Sequence, residues 1–167
     1  MTREFQVRRA RTPDVRVIRD LVTPMAESGR IVAKDAVTYY EAVHEFRVVE
    51  VDGVVVGCGA VHVMWEDLAE VRTVAVHPAY KGHGLGSALL TTLLQDARKL
   101  GVVRVFCLTF ETGFFGRHGF EPIDGQAVEP EVYVELLRSY DEGVAEFLDL
   151  ERVKPNTLGN TRMLLTL

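Results

Sequence analysis

Two β-branched runs, Phe46–Val51 and Val54–Met64, flank the dipeptide Asp52-Gly53. Asp-Gly supplies the positive φ angles of a two-residue hairpin, whose twist matches that of the strands it joins. A chain with this hairpin in its first half builds an antiparallel pairing, and the helical periodicities on both sides make the fold mixed α/β. At 167 residues, set against about 150 for a typical domain, a single domain over 1–167 is expected. The 47% hydrophobic and 26% charged content is that of a globular chain and excludes disorder. Cys58 and Cys107 cannot build a disulfide framework or a four-cysteine zinc site. The five histidines lack ligand spacing, so no metal is expected. No apolar run approaches the ~18 residues of a membrane span, and Met1–Ala10 has no apolar core of a secretory signal. The expected setting is cytoplasmic, with no membrane partner. A net charge of −5 argues against nucleic acid, which binds through cations.

Along the chain, Arg8–Arg11 reads as a first strand, and Thr12-Pro13-Asp14 as a helix start with proline in the first turn. Val15, Ile18, Leu21 and Val22 share one helical face. A break at Pro24–Gly29 precedes a second helix, Asp35–His44, with Val37, Tyr40 and Val43 inward. After the hairpin, Glu70–Val76 is a strand ended by His77-Pro78. A helix over Gly86–Leu100 carries Leu89, Leu93, Ala97 and Leu100 one turn apart, and Gly101 fits its C-terminal stop. Val102–Thr109 is apolar enough for a strand buried on both faces. A helix at Thr112–His118, a strand at Phe120–Ile123, a helix at Pro130–Tyr140 and a strand at Thr161–Leu167 complete the reading. Asp141–Gly159 gives no clear pattern.

The segment Lys81-Gly82-His83-Gly84-Leu85-Gly86-Ser87 links the Glu70–Val76 strand to an amphipathic helix. Glycines at alternate positions let backbone N–H groups turn toward one point, and the helix dipole adds to them, so the turn suits a pyrophosphate. A Walker A loop would need Gly-Lys-Ser/Thr at its end, and a dinucleotide fingerprint would need G-x-G-x-x-G directly after the strand. Neither is present. The turn resembles the coenzyme A pyrophosphate turn of the GNAT family of N-acetyltransferases, with its Gln/Arg-x-x-Gly-x-Gly/Ala pattern falling on Lys81, Gly84 and Gly86. Arg8, Ala10 and Asp14, the hairpin, and Phe115–Phe120 follow in GNAT order. The resemblance implies a mixed, largely antiparallel sheet of six to seven strands flanked by helices and splayed at the acetyl-CoA site. It implies acetyl-CoA as co-substrate on residues 81–87, with the backbone of Val74, Ala75 and Val76 holding the thioester oxygen and pantetheine. Many relatives carry a tyrosine at the position of Phe115 to protonate the departing thiolate. Phe115 has no proton to give.

Within the family the chain is most similar to acetyltransferase domains of N-acetylglutamate synthases, in the short form without an amino-acid-kinase domain. The similarity lies in Phe46–Gly59, Glu70–Val76, Leu108-Thr109 with Glu111-Thr112-Gly113, and Asn160-Thr161. It implies transfer of acetyl to the α-amino group of L-glutamate, the first step of arginine biosynthesis. It also implies Glu70 as the base that takes the ammonium proton, and Thr109 in place of the synthases' serine that protonates sulfur. Lys34 falls where the synthases carry an arginine pair, with Ala33 in the other place. Arg72 and Arg162 are further cations for a dicarboxylate, and Asn160 and Thr161 join them as candidate acceptor contacts. Two other readings stand beside this one: another acceptor (amino acid, small amine or protein N-terminus) on the same fold, and an acetyl-CoA sensor that turns nothing over. The oligomeric state is open, with a homodimer as one option.

Overall fold

The computed structural model describes residues 4–31 and 34–167. Strand β1 is Phe5–Arg9, three residues earlier than the sequence suggests. It pairs antiparallel with β2, Phe46–Val51, from Phe5 opposite Val51 to Arg9 opposite Arg47, and a turn of 3-10 helix at Thr12–Asp14 then takes over. Helix α1, Val15–Glu27, runs through Pro24 rather than stopping there, and Gly29, at φ +76°, closes it. Helix α2 is the short Ala36–Glu41. Strand β3 is Val54–Trp65, β4 is Leu68–Val76, and α3 is Leu85–Lys99. There follow β5, Arg104–Thr109, α4, Thr112–Arg117, and the two-residue β6, Glu121–Pro122. Helices α5 (Pro130–Leu136), α6 (Glu142–Phe147) and α7 (Lys154–Thr157) precede β7, Thr161–Thr166.

The seven strands hydrogen-bond in the order β1-β2-β3-β4-β5-β7-β6. β4 pairs parallel with β5, matching Leu68–Glu70 to Arg104–Phe106, while β1/β2, β2/β3, β5/β7 and β6/β7 are antiparallel. The expected mixed, largely antiparallel sheet flanked by helices is what the chain forms.

The chain divides into two compact units, Met1–His62 with Val71–Asp96, and Val63–Glu70 with Ala97–Leu167. In the first, Val15, Ile18 and Val22 of α1 pack with Tyr39, Phe46, Val48, Cys58, Ala60 and Ala75. The inward residue of α2 is Tyr39, at 6.1 Å from the Phe46 ring, whereas Val37 and Tyr40 are exposed. On α3, Leu89 and Leu93 are fully buried, and Gly59 lets the helix come so near that a Cβ there would lie 2.8 Å from Leu93 Cδ1. Leu100 stands outside the helix and is exposed. In the second unit, Phe106, Phe147, Leu148, Val144, Leu136, Leu68 and Met64 form a separate cluster.

Candidate active site

In the first unit, β4 delivers the chain to the glycine turn. Its Thr73 is buried and held at φ +58°, a conformation a β-branched residue adopts only under constraint, at a cost of about 1–3 kcal/mol. The Cys58 thiol donates to the Thr73 carbonyl at 3.5 Å, and burial pushes that thiol up to about 12, so it is no nucleophile. Beyond the strand, His77 N–H donates to the Val56 carbonyl at 2.8 Å, and His77 Nδ1 accepts from Ala79 N–H at 3.1 Å. Lys81, Gly82, His83 and Gly84 are all exposed, and Leu85 is buried as the anchor of the helix start. Gly82 and Gly84 sit at φ +81° and +79°, and no atom lies within 4 Å of where a Cβ would stand on either. The turn is an open cradle of backbone at the head of a fifteen-residue helix, with the dipole and N–H groups that an anion requires. Lys34 and Arg72 are half-buried in the same unit, while Ala33 lies outside the described residues.

The second unit holds Glu70 and Thr109. Glu70 is 5% exposed and closes the parallel register with β5 opposite Phe106. Burial, with a smaller contribution from the Glu70 charge, raises the Cys107 thiol well above the ordinary range. Thr109, also buried, stands at the end of β5, three residues beyond Phe106, or about 10 Å along the strand. Its Oγ1 accepts from Glu111 N–H at 2.8 Å, an arrangement that leaves the hydroxyl proton to be donated elsewhere. Thr109 is in register with Thr161, and Leu108 with Arg162, so the ends of β5 and β7 bring Thr109 beside the 160–162 segment. Arg162 Nη2 donates to the carbonyls of Gly125, at 3.1 Å, and of Phe147. Burial lowers this guanidinium's pKa, with Asp149 and Asp124 opposing. Phe115 is buried between Phe114 and Phe120, so the position of the relatives' tyrosine is occupied by core.

Residues 16–120 match the Acetyltransferase (GNAT) family. The chain belongs to that family. This GNAT chain is 61% identical over 165 residues to the amino-acid acetyltransferase of Mycobacterium tuberculosis, covering 96% of itself and 94% of that protein. It superimposes with a TM-score of 0.93 and 59% identity on the solved structure of Rv2747 from Mycobacterium tuberculosis in complex with CoA and NLQ, covering 97% and 99% of the two chains. The N-acetylglutamate synthase of Neisseria gonorrhoeae shares the fold, at a TM-score of 0.78 and 23% identity over 98% of this chain and 35% of that one. Against other curated amino-acid acetyltransferases, the GNAT chain spans about a quarter of their length. It is an acetyltransferase.

The sequence-derived site thus falls into two sets, each held within one unit. Val74–Val76, the 81–87 turn, Lys34 and Arg72 lie in the first; Glu70, Thr109 and Asn160–Arg162 lie in the second. His62, two residues before the end of the strand read as Val54–Met64, reads from the sequence as a satisfied structural histidine or one facing the substrate, and its Nδ1 is 2.5 Å from Glu45 Oε1, a partner no local pattern announces. One feature escaped the sequence reading. Phe110 rests on Gly159; the exposed aromatic directly after Thr109 was the available signal. Among the described residues, no group of three or more His, Cys, Asp and Glu could hold a metal ion, and no helix is long and apolar enough to cross a membrane.

Proposed function

We propose that the protein transfers acetyl from acetyl-CoA to the α-amino group of L-glutamate, giving N-acetyl-L-glutamate and CoA. Acetyl-CoA supplies an activated acyl group as a thioester. Its pyrophosphate lies on the backbone of Lys81 to Ser87, where the absent side chains of Gly82 and Gly84 leave room. Glu70 takes the first proton from the glutamate ammonium. The freed amine forms the N–C bond as the C–S bond breaks, and the Thr109 hydroxyl gives its proton to sulfur. The second proton shed by nitrogen returns to the Thr109 oxygen. Lys34 and Arg72 supply positive charge for the acceptor's carboxylates, with Asn160 and Thr161 as polar contacts. The 61% identity to an amino-acid acetyltransferase supports an amino acid as acceptor.

The observation that carries the mechanism is a carboxylate, Glu70, buried to 5% exposure where β4 and β5 pair. Its burial sets this carboxylate apart from bulk water at the position that the resemblance to the synthases gives to the base. Glu70→Gln is expected to lower kcat by roughly 10²–10⁴ while calorimetry shows acetyl-CoA binding retained, with the loss shrinking at alkaline pH as free amine accumulates. A wild-type rate at neutral pH would make Glu70 structural. Binding of acetyl-CoA with no turnover on any acceptor would favour the sensor.

A further inference from the structure

Phe110 follows Thr109 directly, yet its side chain is 45% exposed. Its ring is seated on Gly159, directly before Asn160 and Thr161: a Cβ at Gly159 would fall 2.9 Å from Phe110 Cε1. Gly159 also sits at φ +79°, so glycine both permits the turn and admits the ring. Because Thr109 and Thr161 are in register, the phenyl ring, the Thr109 hydroxyl and the 159–161 turn converge on one end of the β5–β7 pair. The phenyl ring is therefore held partly in water at this end of the pair, with the Gly159 backbone beneath it.

We propose that Phe110 is a specificity-determining residue, an apolar wall against which the acceptor's side-chain methylenes pack. The inference rests on the reading of Thr109 as the proton donor to sulfur, since that places the acceptor at this end of β5. Glutamate offers two methylenes between its α-carbon and its carboxylate. A wall of fixed extent favours that length over one methylene fewer, which loses contact, and one more, which outgrows the ring. Discrimination by a single methylene in an apolar site runs to roughly 10–200-fold.

The test is a homologous acidic series of aspartate, glutamate and 2-aminoadipate, with CoA release followed for wild type, Phe110→Ala and Phe110→Trp. Wild type is expected to prefer glutamate over both neighbours by at least ~10-fold in kcat/KM. Phe110→Ala is expected to shift preference toward 2-aminoadipate and Phe110→Trp toward aspartate, each by about 10-fold, with acetyl-CoA KM unchanged. The half-exposed position keeps both variants folded, as circular dichroism would confirm. Either variant showing the wild-type profile overturns the proposal and leaves the glutamate reading standing. A wild-type enzyme that acetylates none of the three overturns that reading and the proposal with it.

Discussion

Gly84 shows how much one absent side chain decides. Its φ of +79° and the empty space around its Cβ position are the two properties a backbone anion cradle needs, and both disappear in any substitution. Gly84→Glu places a carboxylate where the pyrophosphate lies. It is expected to weaken acetyl-CoA binding by more than ~2 kcal/mol, about 30-fold or more, as for a desolvated like-charge pair. Calorimetry on the folded variant reads this directly, and unchanged affinity would remove the cofactor from the turn. The glycine turn was legible in the sequence because its spacing before a helix is a local pattern; Glu70 and Thr109 were reached through the resemblance to the synthases, and the structure adds that both are buried. Phe110 on Gly159 and His62 on Glu45 were not legible, because each pair is made by tertiary contact between segments far apart in sequence.

At the level of elements, the start of α1 is tied to the sheet by Arg8. Its guanidinium bonds Asp14 at 2.8 and 3.1 Å and Glu50 at 2.8 Å, and Asp14 Oδ2 also accepts from Arg11 N–H. Arg8 holds the Asp14 carboxyl below its ordinary value of 3.8. A carboxyl depressed on folding stabilises fully above its unfolded value, and the contribution is lost as pH falls through the lower folded value. Asp14→Asn is therefore expected to cost about 2 kcal/mol at pH 7 in urea unfolding. The gap to wild type should narrow once pH drops below 3.8; a gap constant with pH would mean that the charge contributes nothing. The hairpin at Asp52-Gly53 was legible because turn chemistry is local, and both residues do take positive φ. The inward face of α2 was misread: a six-residue helix gives too few turns for periodicity to single out Tyr39 over Tyr40. Pro24 was read as a break because proline lacks a donor, but near the end of α1 the helix continues past it to Glu27.

At the scale of the whole chain, the mixed, largely antiparallel sheet flanked by helices was legible because the family resemblance fixed the order of elements along the sequence, whereas the strand order in the sheet came only from the structure. The stretch 141–159 stayed opaque since it is built of short pieces. Asp141 caps α6 by accepting from Val144 N–H at 3.1 Å, and Val144, Phe147 and Leu148 enter the second unit's core, a spacing visible only once the cap is recognised. What remains is the acceptor. If Lys34 and Arg72 grip glutamate, truncating either to alanine removes one partner of a desolvated pair worth ~2–5 kcal/mol. Glutamate KM should then rise by about 30-fold or more, while acetyl-CoA KM stays fixed, since neither residue belongs to the 81–87 turn.

The measurement that bears most directly on the account is CoA release by the wild-type enzyme across glutamate, glutamine, lysine and a polyamine, with the product's acetylated nitrogen located by mass spectrometry. The expected result is acetylation at the α-amino group, fastest on glutamate, with glutamine tolerated because its amide loses only the charge component, and lysine and the polyamine far behind. Equal rates on lysine or the polyamine and on glutamate would contradict the account and make the protein a general amine acetyltransferase.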